Sequence, residues 1–251
     1  MSLARSLIRY GLPLVFMVMA GPAFSQPTLP PVTNATPGIK LPACNDAMYR
    51  FLPGEFNFCM AGRDLSRGNH RGAMEMLDLA AGWGSKKAQY VLGVMHFRGD
   101  ALPVDHALGL AWLTLAAERH DPDYLAVLAS AMHKSTPAEL QRSKDLLTTM
   151  ASVYADDVAA RRAQRRFDRM VRELTYYEPY DVTTCIKGLT DGLIAEEDFT
   201  SSSCPSPRYA VARLHLISDV YFDGWAGHVS VGAAEPVLPQ KPAEADKTNA
   251  R

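Results

Sequence analysis

The sequence predicts a mainly α-helical protein, a solenoid of stacked helix pairs followed by a small, disulfide-linked module that is β-rich. Three observations predict this fold class. Apolar residues recur with helical spacing over residues 56–174, and their pattern repeats every 36 residues. Beyond residue 180 the composition changes to β-prone and turn-forming residues, and two cysteines lie in that part of the chain.

The N-terminal segment, residues 1–25, has the features of a secretory signal peptide. Arg5 and Arg9 precede a short apolar run, and small residues at the cleavage-determining positions would leave Gln26 as the new first residue. The apolar run is too short for a stable membrane span, although an uncleaved anchor is the alternative. We therefore expect a protein without a stable membrane span after signal cleavage, located in the periplasm of a Gram-negative bacterium or secreted.

Two proline-rich segments flank the predicted domains. Residues 26–43 hold five prolines and show no periodicity, which predicts an extended linker. Residues 233–251 have a similar composition and are predicted to form a disordered tail. Between these segments we place a helical repeat domain at residues 44–175 and the small C-terminal module at residues 176–232.

The helices of the repeat domain are marked by capping residues at their starts and by glycines at several of their ends. Predicted starts are Asp105, Asp121-Pro122 and the capping box Thr136-Pro137-Ala138-Glu139, and predicted ends are Gly68, Gly82 to Gly84, and Gly99. A helix that continued unbroken from Thr136 to Leu174 would be unusually long. We therefore expect a break between Ser152 and Asp157.

Small and large apolar residues both recur at the 36-residue interval. Ala80-Ala81 returns as Ala116-Ala117, and Leu92 returns as Leu128. Two further matching pairs are Met76 with Trp112 and Leu77 with Leu113. A helix pair of this size cannot bury its apolar face alone, but stacked copies can, with small residues allowing close approach and large ones filling the space. The interval is therefore typical of a solenoid.

The clearest unit of this repeat runs from Ala88 to His120. Its characteristic residues are Ala88-Gln89-Tyr90, Leu92-Gly93, Gly99, Pro103, Asp105, Ala107, Leu110, Trp112 and Ala116-Ala117. This pattern resembles the Sel-one-like repeat, a TPR-related α/α repeat family. Departures from the family pattern are Gly109 in place of alanine, His106 where an aromatic residue is common, His120 in place of the terminal glycine, and Ala129 in place of the glycine of the third copy.

The resemblance implies an interaction scaffold that holds a protein or peptide on a curved surface. Stacked helix pairs also create an extended concave face on physical grounds. Tyr90, His106 and Trp112 are the candidate binding residues, because aromatic side chains are good anchors in interfaces. The alternative for Tyr90 and Trp112 is an ordinary place in the core.

The sequence contains no familiar catalytic, cofactor-binding or metal-binding motif. Its seven histidines do not form H-E-x-x-H, and there is no G-x-S-x-G and no phosphate-binding glycine loop. Loss of the two arginines of the signal changes the formal charge from −1 to −3, unlike the strongly basic balance of nucleic-acid-binding domains. We predict a non-catalytic protein that uses no cofactor or metal and binds no nucleic acid.

One charged segment, "RRAQRRFDRMVREL", allows two interpretations. Six arginines lie on or beside one helical face: Arg161, Arg165, Arg169 and Arg172 on it, and Arg162 and Arg166 next to it. Such a face suits an anionic partner, either an acidic protein surface or a membrane surface. The alternative is an ordinary solvated outer face.

The four cysteines predict disulfides, because they are even in number and the chain is routed to an oxidising compartment. Three pairings are possible, and we favour the local pairs Cys44–Cys59 and Cys185–Cys204. A zinc site is the competing interpretation, but the sequence has no C-x-x-C and no histidine at ligand spacing from a cysteine.

The C-terminal module supports a rival function. Residues 209–217 alternate as a one-sided strand would, although a short helix fits the same residues. Acidic and aromatic side chains that suit sugars follow at Asp219, Tyr221, Asp223 and Trp225. The rival to the scaffold is therefore an envelope enzyme or glycan-binding protein with its site in this module, and a polar turn with a structural tryptophan is the plainer interpretation of the same residues.

Overall fold

The computed structural model describes residues 44–176, 183–186, 189–190 and 204–229. The predicted signal peptide, linker and tail lie outside these residues, as does most of the segment between Cys185 and Cys204. The described residues form α-helices and no strand, which confirms the mainly α-helical fold class.

The helices follow one another along the chain in a regular order. They are α1 (Asp46–Phe51), α2 (Pro53–Ser66), α3 (His70–Gly82), α4 (Lys86–Arg98), α5 (His106–Ala116), α6 (Pro122–Lys134), α7 (Pro137–Tyr154), α8 (Ala159–Thr175) and α9 (Pro207–Tyr221), with a 3-10 turn at Ala117–Arg119 directly after α5. The break expected between residues 152 and 157 is confirmed, because α7 ends at Tyr154 and α8 begins five residues later.

The 36-residue interval is a structural period. Helices α3 and α5 begin at residues 70 and 106, and α4 and α6 begin at residues 86 and 122, so both differences are 36. The side chains of Asn69, Ser85, Asp105 and Asp121 precede these four helices, and each accepts a hydrogen bond from the backbone N–H three residues later. Each cap satisfies a donor that the first turn of a helix leaves unpaired.

Equivalent turns also keep the same backbone conformation when their residue type differs. Gly84 has φ +84°, and His120, which is 36 positions later, has φ +60°. Glycine adopts this left-handed region without steric penalty, whereas histidine is less common there. The departure at His120 therefore leaves the course of the turn unchanged.

The repeat helices share a core that α7 covers from one side. Phe58, Leu77, Leu92 and Leu115, from α2 to α5, are among its buried residues, and Tyr154 of α7 packs against it. Helix α7 packs along α5 and reaches α3 at its C-terminal end. Helices α3 and α5 are the second helices of the successive pairs α2–α3 and α4–α5, and α7 lies on both of them. The regular alternation of the repeat therefore ends at α7.

A second core joins α1, α8 and α9. Phe51, Phe167 and Leu214 are buried in it, one from each helix. The strand expected over residues 209–217 is wrong, because these residues lie within helix α9. Ala210, Leu214 and Ile217 are buried at spacings of four and three residues, and Pro207 occupies the first turn, where its missing N–H costs no hydrogen bond. Residues 183–186, 189–190, 204–206 and 222–229 of the expected β-rich module are also described and contain no strand, and the remaining parts lie outside the described residues.

Both local disulfides are present. Cys44–Cys59 joins the chain two residues before α1 to helix α2, and Cys185–Cys204 closes a loop of the segment that leads to α9. The bonds are consistent with an oxidising compartment outside the cytoplasm. Within the described ranges, each helix is too short or too polar to cross a membrane.

Candidate functional site

Tyr90 and His106, two of the candidate binding residues, have separate sets of neighbours. The ring of Tyr90 is half-buried and stacks on Tyr124 with 4.7 Å between centroids, and burial raises the pKa of the Tyr90 phenol. His106 places Nδ1 2.9 Å from Glu139 Oε1, and its ring stacks on Phe97 at 4.5 Å. Each of the two therefore has a defined role in packing between helices.

Trp112, the third candidate residue, belongs to the core. It is 5% exposed, and its ring meets Tyr154 of α7 edge-on at 4.6 Å. The Tyr154 hydroxyl donates to Asp78 Oδ1 at 2.7 Å, and burial together with this hydrogen bond raises the pKa of Tyr154 to about 12. A ligand could reach Trp112 only after α7 had moved.

The candidate sugar-binding residues near the end of α9 are mostly engaged within the protein. Asp219 Oδ1 lies 2.9 Å from His228 Nε2. Tyr221 is buried and donates its hydroxyl hydrogen to the Trp83 carbonyl at 2.7 Å, while Trp225 packs against the second core. Asp223 is exposed. Asp219 and Tyr221 therefore stabilise the fold, and the four side chains do not converge on an open cleft.

An open groove runs along the outer face of α8. Its volume is about 510 Å³. We call it the arginine groove; its lining residues are Trp83, Asp157, Val158, Arg161, Arg162, Arg165, Arg166 and Arg169. Helix α8 carries six arginines and two carboxylates, although the whole chain has a formal charge of −1. The groove therefore concentrates positive charge on a nearly neutral protein.

The arginines face outward because the opposite side of α8 is buried. Ala160, Ala163, Phe167 and Val171 recur at spacings of three and four residues and pack into the second core with α1 and α9. This buried stripe sets the rotation of the helix about its axis. The charged stripe 161–172 is consequently presented to solvent along about three turns.

The turn that carries Trp83 is fixed by hydrogen bonds to its backbone. The carbonyls of three consecutive residues in the turn after α3 each accept a hydrogen bond from a distant side chain. Arg162 donates to Gly82, Tyr221 to Trp83, and Arg119 to Gly84. These bonds connect one short turn to α8, to α9 and to the end of α5.

Gly84 allows this turn to lie directly against the start of α8. Its φ of +84° is left-handed, and a Cβ atom at this position would lie 2.9 Å from the Ala160 backbone nitrogen. Any other residue would meet both backbone strain and a clash. The glycine therefore brings Trp83 and the first turns of α8 together.

Two of the groove arginines have structural partners. The guanidinium groups of Arg162 and Arg166 each lie 5.5 Å from the Trp83 ring centroid, which is cation–π distance. Arg162 also donates to backbone carbonyls, and Arg166 donates to the carbonyls of Arg50 at 3.0 Å and Tyr49 at 3.3 Å. These two side chains are therefore fixed in place.

The other three groove arginines are exposed and have fewer contacts among the described residues. Arg161 forms a loose pair with Asp157 at 3.5 Å, in which both side chains are largely exposed. Arg165 and Arg169 are exposed, and neither forms an ion pair with a residue of the described part of the chain. Exposed guanidinium groups bind carboxylates in a planar, two-pronged geometry.

A buried ionic cluster is connected to the turn that carries Trp83 through Arg119, which donates to the Gly84 carbonyl. Lys86 Nζ lies 2.6 Å from Glu118 Oε2 and 3.2 Å from Asp156 Oδ1. Arg119 donates two hydrogen bonds to Asp156, both at 2.9 Å. Burial lowers the pKa of Lys86, and the two carboxylates oppose that shift. The cluster connects α4, the end of α5 and the turn before α8.

The arginine stripe was recognised from the sequence, but Trp83 was not selected as a site residue. The local signal was the sequence Gly82-Trp83-Gly84, in which a large aromatic residue stands between two glycines at a helix end.

Comparisons with protein-family models, curated proteins and solved structures found no match. Among the described residues, no group of three or more histidine, cysteine or carboxylate side chains is placed to hold a metal ion.

Proposed function

We propose that this protein is an exported, non-catalytic interaction scaffold that binds an acidic segment of a partner protein in the arginine groove. The observation that carries the proposal is the pair Arg165 and Arg169, two exposed arginines beside Trp83 without an ion-pair partner among the described residues. The repeat helices act as the rigid support of this surface, and the compartment is the periplasm or the cell exterior.

A protein partner fits the groove better than a membrane surface does. An interfacial helix binds a bilayer by burying its apolar face among acyl chains. The apolar face of α8 is already buried in the second core, with Phe167 at 1% exposure. The groove is also concave, and two fixed arginines hold Trp83 inside it, so a protruding peptide can fill it whereas a flat lipid surface cannot.

The proposal is tested by the binding of a short poly-L-glutamate chain to residues 26–251 with both disulfides formed. The double variant Arg165→Gln, Arg169→Gln should weaken binding by about fivefold, because each exposed ion pair contributes about 0.5 kcal/mol. Binding should also weaken as salt is added, since exposed charges are screened. Isothermal calorimetry or fluorescence anisotropy measures both effects.

The matched control is the double variant Arg63→Gln, Arg67→Gln. These arginines have the same spacing of four residues, are exposed at the end of α2, and change the net charge by the same amount. Their replacement should leave binding unchanged. An equal loss in both double variants would mean that the glutamate chain responds to net charge rather than to the groove, and the proposal would then be wrong.

A further inference from the structure

We propose that the arginine groove binds an extended segment in which acidic residues alternate with any residue: acidic, any, acidic, any, acidic. Each carboxylate pairs with one exposed arginine, the outer two with Arg161 and Arg169 and the central one with Arg165. This inference rests on the proposed function and specifies how the acidic residues of its ligand are spaced.

The three exposed arginines form an evenly spaced row. Arg161, Arg165 and Arg169 follow one another at intervals of four residues on α8, and all three line the groove. Four residues advance about 6 Å along a helix axis, and a row at this interval is inclined by about 26° to the axis, so its neighbours are about 6.7 Å apart. The row is therefore about 13 Å long, with Arg165 at its centre.

An extended chain places the side chains of one side at the same interval. It advances about 3.3–3.4 Å per residue, and alternate side chains point to the same side, so neighbours on that side are about 6.7 Å apart. Three alternate carboxylates therefore match the arginine row from one end to the other. The side chains between them point away from the row, so the motif leaves their identity free.

The size of the groove favours an extended ligand over an acidic helix, whose residues at intervals of four would have a similar spacing. Over the 13 Å of the row, a helix about 10 Å wide occupies about 1,000 Å³. An extended chain, at the spacings of strands in packed sheets, occupies about 600 Å³. The groove has a volume of about 510 Å³, and its Trp83 wall is fixed by cation–π contacts with Arg162 and Arg166.

The test compares three blocked nine-residue peptides that contain the same three glutamates and six serines in different orders. The reference peptide has glutamate at positions three, five and seven. The second has glutamate at positions two, five and eight, and the third at positions one, five and nine. Because the net charge is the same, differences in affinity report spacing alone. The backbone and indole N–H signals of residues 26–251, labelled with nitrogen-15, measure each affinity at low salt.

The reference peptide should bind about fivefold more tightly than the second peptide. In an extended chain, the glutamates of the second peptide that share a side are about 20 Å apart, which exceeds the row, so two of the three pairs are lost. The third peptide keeps two pairs, at Arg161 and Arg169, and should bind about twofold more weakly than the reference. The reference should also shift the indole N–H signal of Trp83, which is assigned by its absence from Trp83→Phe.

The position of the central carboxylate is tested by a double-mutant cycle between peptide and protein. Glutamine in place of the central glutamate of the reference should weaken its binding about twofold to the wild type. The same change should have little effect on binding to Arg165→Gln, because the central carboxylate has already lost its partner. It should still cost about twofold in Arg67→Gln, which has the same change of charge at a residue that does not line the groove.

The outcomes separate this motif from the proposed function. If the peptide with glutamates at positions one, five and nine binds most tightly, the ligand is helical and the extended motif is overturned. If the three peptides bind equally while binding still depends on Arg165 and Arg169, the motif is wrong and the acidic-partner proposal stands. If binding depends on neither arginine, both proposals are wrong.

Discussion

Two regions of this protein are both helical, yet they are stabilised in different ways. The repeat region, α3 to α6, is held by close packing of alanine, leucine and glycine, and Ala80, Ala81 and Ala116 are completely buried. The closing region, α7 to α9 together with α1, has no internal repeat. Besides the packing of α7 along α5, it is attached to the repeat region through buried ions and through the hydrogen bond from Arg119 to the Tyr221 carbonyl.

The difference is clearest between α5 and α8. Eight of the eleven residues of α5 are buried, so packing restricts nearly every position of that helix. Helix α8 buries five of its seventeen residues along one stripe, which leaves the opposite face unrestricted by packing. Arg165 and Arg169, which form no ion pair with another described residue, are therefore not explained by the fold, whereas the alanines of α5 are. Surface residues that packing does not require are the better guide to function.

The largest predicted effect tests how the closing region is attached. Replacement of Asp156 by asparagine removes the carboxylate shared by Lys86 and Arg119, two nearly buried cations. Breaking a buried ion pair by removing one partner costs about 3 kcal/mol, because the remaining charge loses its compensation. The free energy of unfolding, measured by urea titration with circular dichroism, should fall by about that amount.

The adjacent residue provides the control for Asp156. Asp157 has a side chain that is 88% exposed and forms one loose pair with Arg161. Asp157→Asn should therefore change the free energy of unfolding by less than about 0.5 kcal/mol. Equal effects of the two substitutions would show that the buried cluster contributes no more than a surface pair, and the contrast between the two regions would be lost.

The second prediction tests close packing in the repeat region. A Cβ atom on Gly109 would lie 2.7 Å from the Phe97 nitrogen and 2.9 Å from the Gly93 carbonyl oxygen, both backbone atoms of α4. Because backbone cannot rotate away as a side chain can, Gly109→Ala should destabilise the protein by about 2 kcal/mol. Thermal and urea unfolding measure the change.

Gly62 is the matched glycine for this experiment. It lies inside α2, and a Cβ atom there would meet nothing within 4 Å. Gly62→Ala should therefore stabilise the protein by about 0.5–1 kcal/mol through the lower entropy of the unfolded chain. Both substitutions replace glycine by alanine. Opposite signs of the change in unfolding free energy would therefore show that the close approach of α4 and α5 determines the result at Gly109. Stabilisation by both would mean that α4 and α5 can separate without cost.

The repeat region could be predicted from the sequence because its signals are local and occur twice. Capping residues and positive-φ turns recur at 36 residues, and each acts within three or four residues of its own position. The local disulfide pairs and the break after α7 were predicted correctly for the same reason. The match of the chain to the repeat family remains a resemblance.

The sequence could not predict the parts that depend on distant contacts. Residues 209–217 fit both a strand and a helix, and the choice is made by packing against α8, which comes from elsewhere in the chain. The place of Trp83 in the arginine groove depends on Arg119, Arg162 and Tyr221, of which the last is 138 residues away. The arginine stripe itself was predicted, since a helical face is a local property.

The smallest predicted effect concerns an ion pair on the border of the two regions. Asp105 caps α5 by accepting from the Leu108 N–H at 3.0 Å, and it accepts two hydrogen bonds from Arg142 of α7, both at 2.8 Å. The hydrogen bonds from Arg142 are the main cause of the lowered pKa of Asp105, and the backbone bond from Leu108 adds to it. Asp105→Asn keeps a good capping side chain but removes the charge, so the cost at neutral pH should be about 0.5–1 kcal/mol.

The pH dependence of that cost separates the ion pair from the cap. Because the pKa of Asp105 is lower in the folded protein than its ordinary value of 3.8, the stabilisation is complete above that value and is lost as the pH falls through the folded pKa. The difference in unfolding free energy between the wild type and Asp105→Asn should therefore disappear at the acidic end of a pH series. Arg142→Gln should show the same convergence, since it removes the same pair from the other side. A difference that persists in acid would assign the effect to the geometry of the cap, and the two regions would then be joined at this border by packing rather than by charge.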